Sequence, residues 1–190
     1  MKTIGIASDH AGFELKQYVK EWLKAQGWDY KDFGTFTTDS CDYPDYAHPL
    51  AIAVEAGECY PGIAICGSGE GIGITLNKHQ GIRAALCWIP EIAHLARQHN
   101  DANILVMSGR FINTETADKI MTEFFNTEFE GGRHQNRIDK ISKRRSFLKC
   151  FYIFGKLLKA FQYGARVMCD NTPRTLPERE IGRASCRERV

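Results

Sequence analysis

The sequence predicts an α/β fold in which a parallel sheet is covered by helices on both faces. Three observations carry that expectation. Short, β-branched apolar runs alternate with helical segments of about a dozen residues through position 126, as βαβ units with right-handed crossovers require. The run Gly62–Cys66 (GIAIC) is apolar throughout rather than alternating, as suits a strand buried on both faces. A content of 43% hydrophobic and 25% charged residues in a chain of 190 is an ordinary globular balance, enough to bury one core.

The elements follow in order. Lys2–Ser8 (KTIGIAS) reads as the first strand. Phe13–Ala25 sets Leu15, Val19, Trp22 and Leu23 on one helical face and is closed by Gly27. Trp28–Phe33 reads as a short second strand and residues 34–44 as a polar loop ending Asp42-Tyr43-Pro44. Asp45–Ala56 reads as a helix stopped by Gly57. After Gly62–Cys66, the cluster Gly67, Gly69, Gly71 and Gly73 leads into a helix through Asn77 and Lys78. Ile82–Cys87 is the fourth strand, Pro90–Gln98 a helix with Pro90 suited to its first turn, and Ile104–Ser108 the fifth strand. Thr114–Phe125 is a helix with Asn113 as its N-cap, and Arg133–Lys143 is the last helix. Ligands of open parallel sheets sit beyond the carboxyl ends of the strands. Asp9-His10, Cys66-Gly67-Ser68 and Gly109-Arg110 follow such ends.

Charge divides the chain. The total is 25 Lys+Arg against 23 Asp+Glu, net +2. Residues 1–143 hold 14 basic against 19 acidic side chains, net −5, and residues 144–190 hold 11 against 4, net +7. All six histidines precede residue 135. The break near Lys143 signals two different things joined. No run of about 18 uncharged apolar residues exists, which excludes a membrane-spanning helix. Met1-Lys2-Thr3 runs straight into Ile4, and Asp9 interrupts the apolar stretch, so no signal peptide is expected. Seven cysteines without a CxxC pair point to reduced thiols in the cytoplasm. No nucleic-acid or membrane partner is expected.

Cys66-Gly67-Ser68-Gly69-Glu70-Gly71-Ile72-Gly73 is the most informative stretch. Glycines let peptide N–H groups turn toward an anion, and the next helix presents its positive end. The dinucleotide fingerprint would need Gly where Ile72 stands, and no G-K-[S/T] follows for a P-loop. A bare strand-to-helix turn needs fewer glycines. Cys66, at the strand end, stands against that loop, where the helix N-terminus and peptide N–H donors push a thiol toward thiolate; taken alone, a cysteine ending an apolar strand is inert core. Asp9-His10 reads either as a pair in which the carboxylate orients the imidazole or binds a hydroxyl, or as a helix-start cap. His99-Asn100 closes a helix, where histidine also serves as a dipole partner. Arg133 and Arg137, at i and i+4, suit bidentate grip of a phosphate or form a solvated basic face. His48, His79 and His94 read as surface or packing residues, and Cys41, Cys59 and Cys87 as ordinary thiols.

Taken together, Asp9-His10-Ala11-Gly12, Asp42-Tyr43-Pro44, Cys66-Gly67-Ser68-Gly69, Asn77-Lys78, Arg97-Gln98-His99-Asn100-Asp101 and Gly131-Gly132-Arg133-His134 resemble the B-type ribose-5-phosphate isomerase family. That family also contains galactose-6-phosphate and allose-6-phosphate isomerases. The resemblance runs in one register over residues 1–143. It implies a three-layer αβα sandwich with a Rossmann-like five-stranded parallel sheet, acting as a homodimer or a dimer of dimers. It implies cofactor-free, metal-free isomerisation of D-ribose 5-phosphate and D-ribulose 5-phosphate through an enediolate, in the non-oxidative pentose phosphate branch. Its catalytic set would be Cys66 as the base between C1 and C2, His99 as the ring-opening acid, and Ser68. Ser68 stands where many members carry Thr and keeps the hydroxyl. Substrate binding would fall to Asp9, His10, Tyr43, Gly67, Gly69, Glu70, Gly71, Asn100, Arg110, Arg133 and Arg137, with sites completed across the dimer. A family branch that lacks the cysteine uses a Glu six residues later, where Ile72 stands here. Glu70, carboxylate-bearing in the anion loop, favours placing the phosphate at the arginines.

The resemblance ends near residue 145. Residues 144–190 read as a basic tail, non-native read-through or disordered: 147–169 are patchily apolar, and the last eleven resemble a translated sequencing adapter. Competing functions are an allose- or galactose-6-phosphate isomerase and a sugar-phosphate-binding module without catalysis.

Overall fold

In the computed structural model, which describes residues 3–141, the five expected strand segments become five parallel strands. The elements are β1 (Ile4–Ser8), α1 (Phe13–Ala25), β2 (Tyr30–Asp32), α2 (Tyr43–Glu55), β3 (Gly62–Cys66), α3 (Glu70–Leu76), β4 (Ala84–Leu86), α4 (Pro90–Asn100), β5 (Ile104–Ser108), α5 (Thr114–Asn126) and α6 (Arg133–Ile138). A single 3-10 turn, His10–Gly12, precedes α1. The sheet order is β2-β1-β3-β5-β4 with every pair parallel. The expectations for the tail, residues 144–190, lie outside the described residues, as does Lys2 at the expected start of β1.

The strand alternation divides the core in two. Ile4, Ile6, Ile63, Ile65, Leu105 and Met107 face α1, α4 and α5, meeting Leu15, Val19, Leu23, Ala93, Ile120 and Phe124. Ala7, Ala64, Cys66, Ile104 and Val106 face α2 and α3, meeting Leu50, Val54, Ile72 and Leu76. Cys66 therefore sits on the α2/α3 side, at the carboxyl end of a central strand.

Boundaries differ from expectation where pairing is one-sided. β2 and β4 are edge strands, and their regular hydrogen bonding covers three residues each, less than Trp28–Phe33 and Ile82–Cys87. α2 begins at Tyr43, two residues early, because Pro44 fits the first turn where its missing N–H is not needed. α4 runs on to Asn100, ending at Asp101 with φ 43. α6 ends at Ile138 rather than Lys143. Asn113 caps α5 as expected, its side chain accepting the Thr116 N–H at 2.8 Å.

One buried charge ties the first helix to the loop after β2. The Lys16 side chain is fully buried, its Nζ donating to Asp32 Oδ1 at 2.7 Å and to the Thr35 carbonyl. Burial lowers the Lys16 pKa, and the Asp32 hydrogen bond and charge act against that. Lys20 stands 3.1 Å from the other Asp32 oxygen. Lys16→Ala leaves that carboxylate with Lys20 and the Gly34 N–H, which donates to Asp32 Oδ1 at 2.9 Å. It is expected to lower the unfolding free energy in urea by about 3 kcal/mol, the lower end for a broken buried pair because those two partners remain; an unchanged midpoint would show that the pair adds nothing.

Candidate active site

At the carboxyl edge, β1, β3 and β5 end side by side in Ser8, Cys66 and Ser108. Cys66 is 3% exposed, and its sulfur accepts the Gly69 N–H at 3.2 Å. Gly69 caps α3 with φ +85, and a Cβ there would run into Leu86 as well as strain the backbone. Gly71 lies under the Tyr43 ring: its Cβ would stand 2.6 Å from Tyr43 Cζ. Two loop glycines thus answer to backbone turn and ring packing. Ser68 is exposed and its Oγ accepts the Glu70 N–H at 3.3 Å. Arg110, also exposed, lies along Gly67, with Nε 3.4 Å from where a Gly67 Cβ would be.

Asp9 and His10 complete this edge. Asp9 is buried and its Oδ1 accepts the Gly12 N–H at 2.9 Å, so the carboxylate acts as a cap. The His10 ring is oriented from elsewhere: the Cys41 N–H donates to His10 Nδ1 at 3.2 Å, which leaves the proton of the neutral ring on Nε2. Of the readings open for Asp9-His10, the structure shows the helix-start cap, and the orienting contact on the ring comes from Cys41. Cys41 itself has a half-buried thiol, 3.9 Å from His10 Nδ1.

His99, Asn100, Arg133 and Arg137 gather elsewhere, with two residues that the sequence reading did not single out. The His99 and His134 rings stack in parallel, centroids 4.3 Å apart and planes within 4°. Glu130 Oε2 lies 3.7 Å from His99 Nε2 and 3.9 Å from His134 Nε2. Arg133 Nε donates to His134 Nε2 at 3.5 Å, and Arg137 Nη1 lies 3.4 Å from His134 Nδ1. Both arginines are exposed, one turn apart on α6 as their spacing predicts. Burial lowers the His134 pKa, with the His99 charge next and Arg133 and Arg137 in the same direction, against Glu130. Asn100 is exposed, and its carbonyl accepts from Arg83 Nε at 3.0 Å.

These two groups stand at opposite edges of one sheet. α4 delivers His99 and Asn100 to the turn before β5, where the Gly62 N–H donates to the Asn103 carbonyl at 2.9 Å. Gly62 opens β3 and Cys66 closes it, and four strand steps span about 13 Å. Within one chain, then, neither His99 nor the arginines come near the thiol.

Among the described residues, His99, Glu130 and His134 are the set whose donor atoms gather closely enough for a metal, all within 4.8 Å. The fit is poor. Parallel rings aim their lone pairs side by side rather than at one point, and two guanidinium groups flank His134. The remaining histidines serve local contacts: His48 Nδ1 lies 2.9 Å from His79 Nε2, His79 Nδ1 3.2 Å from Glu55, and His94 Nδ1 3.2 Å from Glu123. Burial pushes the Cys87 thiol up to about 12 and raises that of Cys59, as befits inert core cysteines.

Fold and edge chemistry define a class: an open parallel α/β protein with a buried thiol inside a glycine-rich loop and a paired-arginine helix on its far side. The chain belongs to the Ribose/Galactose Isomerase family, whose sequence model matches residues 4–141. It is 44% identical over 142 residues to ribose-5-phosphate isomerase B of Escherichia coli (strain K12), covering 75% of this chain and 95% of that one. The solved ribose 5-phosphate isomerase of Thermotoga maritima is 50% identical with a TM-score of 0.73, over 74% of this chain and 97% of that one. The Mycoplasma genitalium ribose-5-phosphate isomerase B, solved with bound ribulose-5-phosphate, is 43% identical with a TM-score of 0.71, over 74% and 94%. No helix among the described residues is long and apolar enough to cross a membrane.

The His134 environment sets a pH dependence. Its folded pKa lies below 6.5, so between those two values the unfolded chain binds a proton that the folded chain does not. Stability from this group is constant above 6.5 and is lost as the pH falls from 6.5 to the lowered folded value. Thermal melting at about pH 7.5 and about pH 5 is expected to show a smaller acid loss in His134→Asn than in the parent. Equal losses would mean that His134 plays no part.

Proposed function

We propose that this chain interconverts D-ribose 5-phosphate and D-ribulose 5-phosphate without a cofactor, in the cytoplasm, as a homodimer or a dimer of dimers. One observation carries the reading: a buried thiol meeting a loop N–H at 3.2 Å, in a chain 43% identical to a protein solved with ribulose-5-phosphate bound. On this reading Cys66, as thiolate, takes the proton from C2 of the open aldose and returns it to C1 of the ketose. Ser68 and the peptide groups of Gly67, Gly69, Glu70 and Gly71 hold the enediolate between those steps. Preformed donors at a developing oxyanion are worth about 3–4 kcal/mol each, and a positioned base adds roughly 10²–10⁴-fold. His99 protonates the ring oxygen as the furanose opens.

The separation of the two edges supports a shared site. A two-fold partner would bring its own His99, Asn100, Arg133 and Arg137 against the Cys66 loop, where Asp9, His10, Tyr43 and Arg110 wait for the sugar. The arginines then grip the phosphate and hold the reacting carbons in register. Phe36 and Phe111, 70% and 80% exposed on loops of the carboxyl edge, give such a partner apolar area to cover. Glu70 in the loop opposes a phosphate there, which is consistent with phosphate at the arginines. Residues 144–190 are proposed to play no part: the family match ends at 141. Resequencing the locus tests whether they are read-through.

Three measurements examine the reading. Ribose 5-phosphate is expected to turn over with higher kcat/KM than allose 6-phosphate or galactose 6-phosphate; a strong hexose preference would overturn the choice of sugar. In deuterated water the ribulose 5-phosphate formed is expected to carry deuterium at C1, and Cys66→Ala to slow its appearance at least 10²-fold. Exchange at the parent rate in Cys66→Ala would remove Cys66 as the base. Cys66→Ala and His99→Ala proteins, each inactive alone, are expected to recover about a quarter of parent activity when unfolded together and refolded at equal amounts, because half the dimers are mixed and each holds one intact site. No recovery would place the site within one chain.

A further inference from the structure

The carboxyl edge holds a buried hydroxyl that no step above uses. Ser108 ends β5 in register with Cys66 at the end of β3, and it is 4% exposed. Its strand positions Ile104 and Val106 pack on the Cys66 side of the sheet, and Ser108 continues that alternation. The hydroxyl uses its full bonding capacity: it donates to the Gly67 carbonyl at 2.7 Å, and accepts the Phe111 N–H at 3.1 Å and the Arg110 N–H at 3.3 Å. The Arg110 N–H also reaches the Gly67 carbonyl, at 3.2 Å. This side chain reinforces the backbone tie between the loops after β3 and β5, in which the Gly109 N–H also donates to the Cys66 carbonyl at 2.9 Å.

The peptide joining Gly67 to Ser68 is planar and trans, so its carbonyl and its N–H point in opposite directions. With the Gly67 oxygen drawn inward to Ser108, the Ser68 N–H is turned outward, to the side on which Ser68 is exposed. We propose that Ser108 is a positioning residue for the isomerisation: by holding the Gly67 carbonyl it aims the Ser68 N–H at the enediolate oxygen formed beside Cys66. This rests on the isomerase reading above. Without the hydroxyl the Gly67 carbonyl keeps only the Arg110 N–H at 3.2 Å, and a peptide held by that one bond can turn its carbonyl outward, toward the developing negative charge. The charge exists only in the transition state and intermediate, so the loss falls on kcat rather than on binding of the sugar phosphate.

The test compares Ser108→Ala and Ser108→Thr with the parent on ribose 5-phosphate. Ser108→Ala is expected to lower kcat roughly 10- to 100-fold with KM changed less than about 3-fold, and Ser108→Thr, which keeps the hydroxyl, to recover most of the kcat. A parent-like kcat in Ser108→Ala overturns the proposal. So does equal damage in both variants when both melt like the parent. If Ser108→Ala does not fold, the parent decides: in a ¹⁵N-labelled sample the Ser68 amide resonance is expected to move on adding ribose 5-phosphate, and an unmoved resonance overturns the proposal. A parent inactive on every sugar phosphate would instead defeat the isomerase reading itself.

Discussion

A parallel sheet ends all its strands at one edge, and its crossover helices carry the chain back to the other. That constraint organises this molecule. It gathers Asp9, Cys66 and Arg110 where the strands end, and carries His99, Arg133 and Arg137 to the far edge. A strand of five residues cannot be bent to bring these groups together. On the shared-site reading proposed above, a second chain supplies the missing set, and two-fold symmetry would give two identical sites at once.

The two edges differ in electrostatic character. The carboxyl edge is built from peptide groups: the Gly69 N–H on the Cys66 sulfur, the Cys41 N–H on His10, the Gly12 N–H on Asp9. Peptide donors are fixed by the sheet and need no reorganisation when charge appears nearby. The far edge is built from side chains whose charges compete. Glu130 draws a proton toward His134, while Arg133 and Arg137 push it away. A phosphate arriving there would add negative charge beside the arginines and ease that competition.

The central elements were legible in the residues. β3, β5 and α1 have the bounds that their apolar patterns predict, because a strand paired on both sides and a helix with one apolar face announce themselves locally. The glycine-flanked Cys66 and the Arg133–Arg137 spacing were legible for the same reason. Asp9 was read with two possible roles, and the structure shows it acting as a cap. What could not be read depends on contacts far apart in sequence. Lys16 looks like any exposed helical lysine until β2 brings Asp32 beneath it, 16 residues on. Ser108 means nothing until register sets it against Cys66, 41 positions from the carbonyl it holds. His134 sat inside a quoted motif, but its stack on His99 arises only when α6 returns to the end of α4.

The thiol geometry has a practical consequence for chemical labelling. Among the described cysteines Cys59, Cys66 and Cys87 are buried, and only Cys41 offers a partly open sulfur, beside an imidazole. An alkylating reagent will therefore reach Cys41 ahead of Cys66, and a bulky adduct there would crowd His10. Inactivation by such reagents cannot by itself identify the nucleophilic or basic sulfur; the modified peptide has to be mapped.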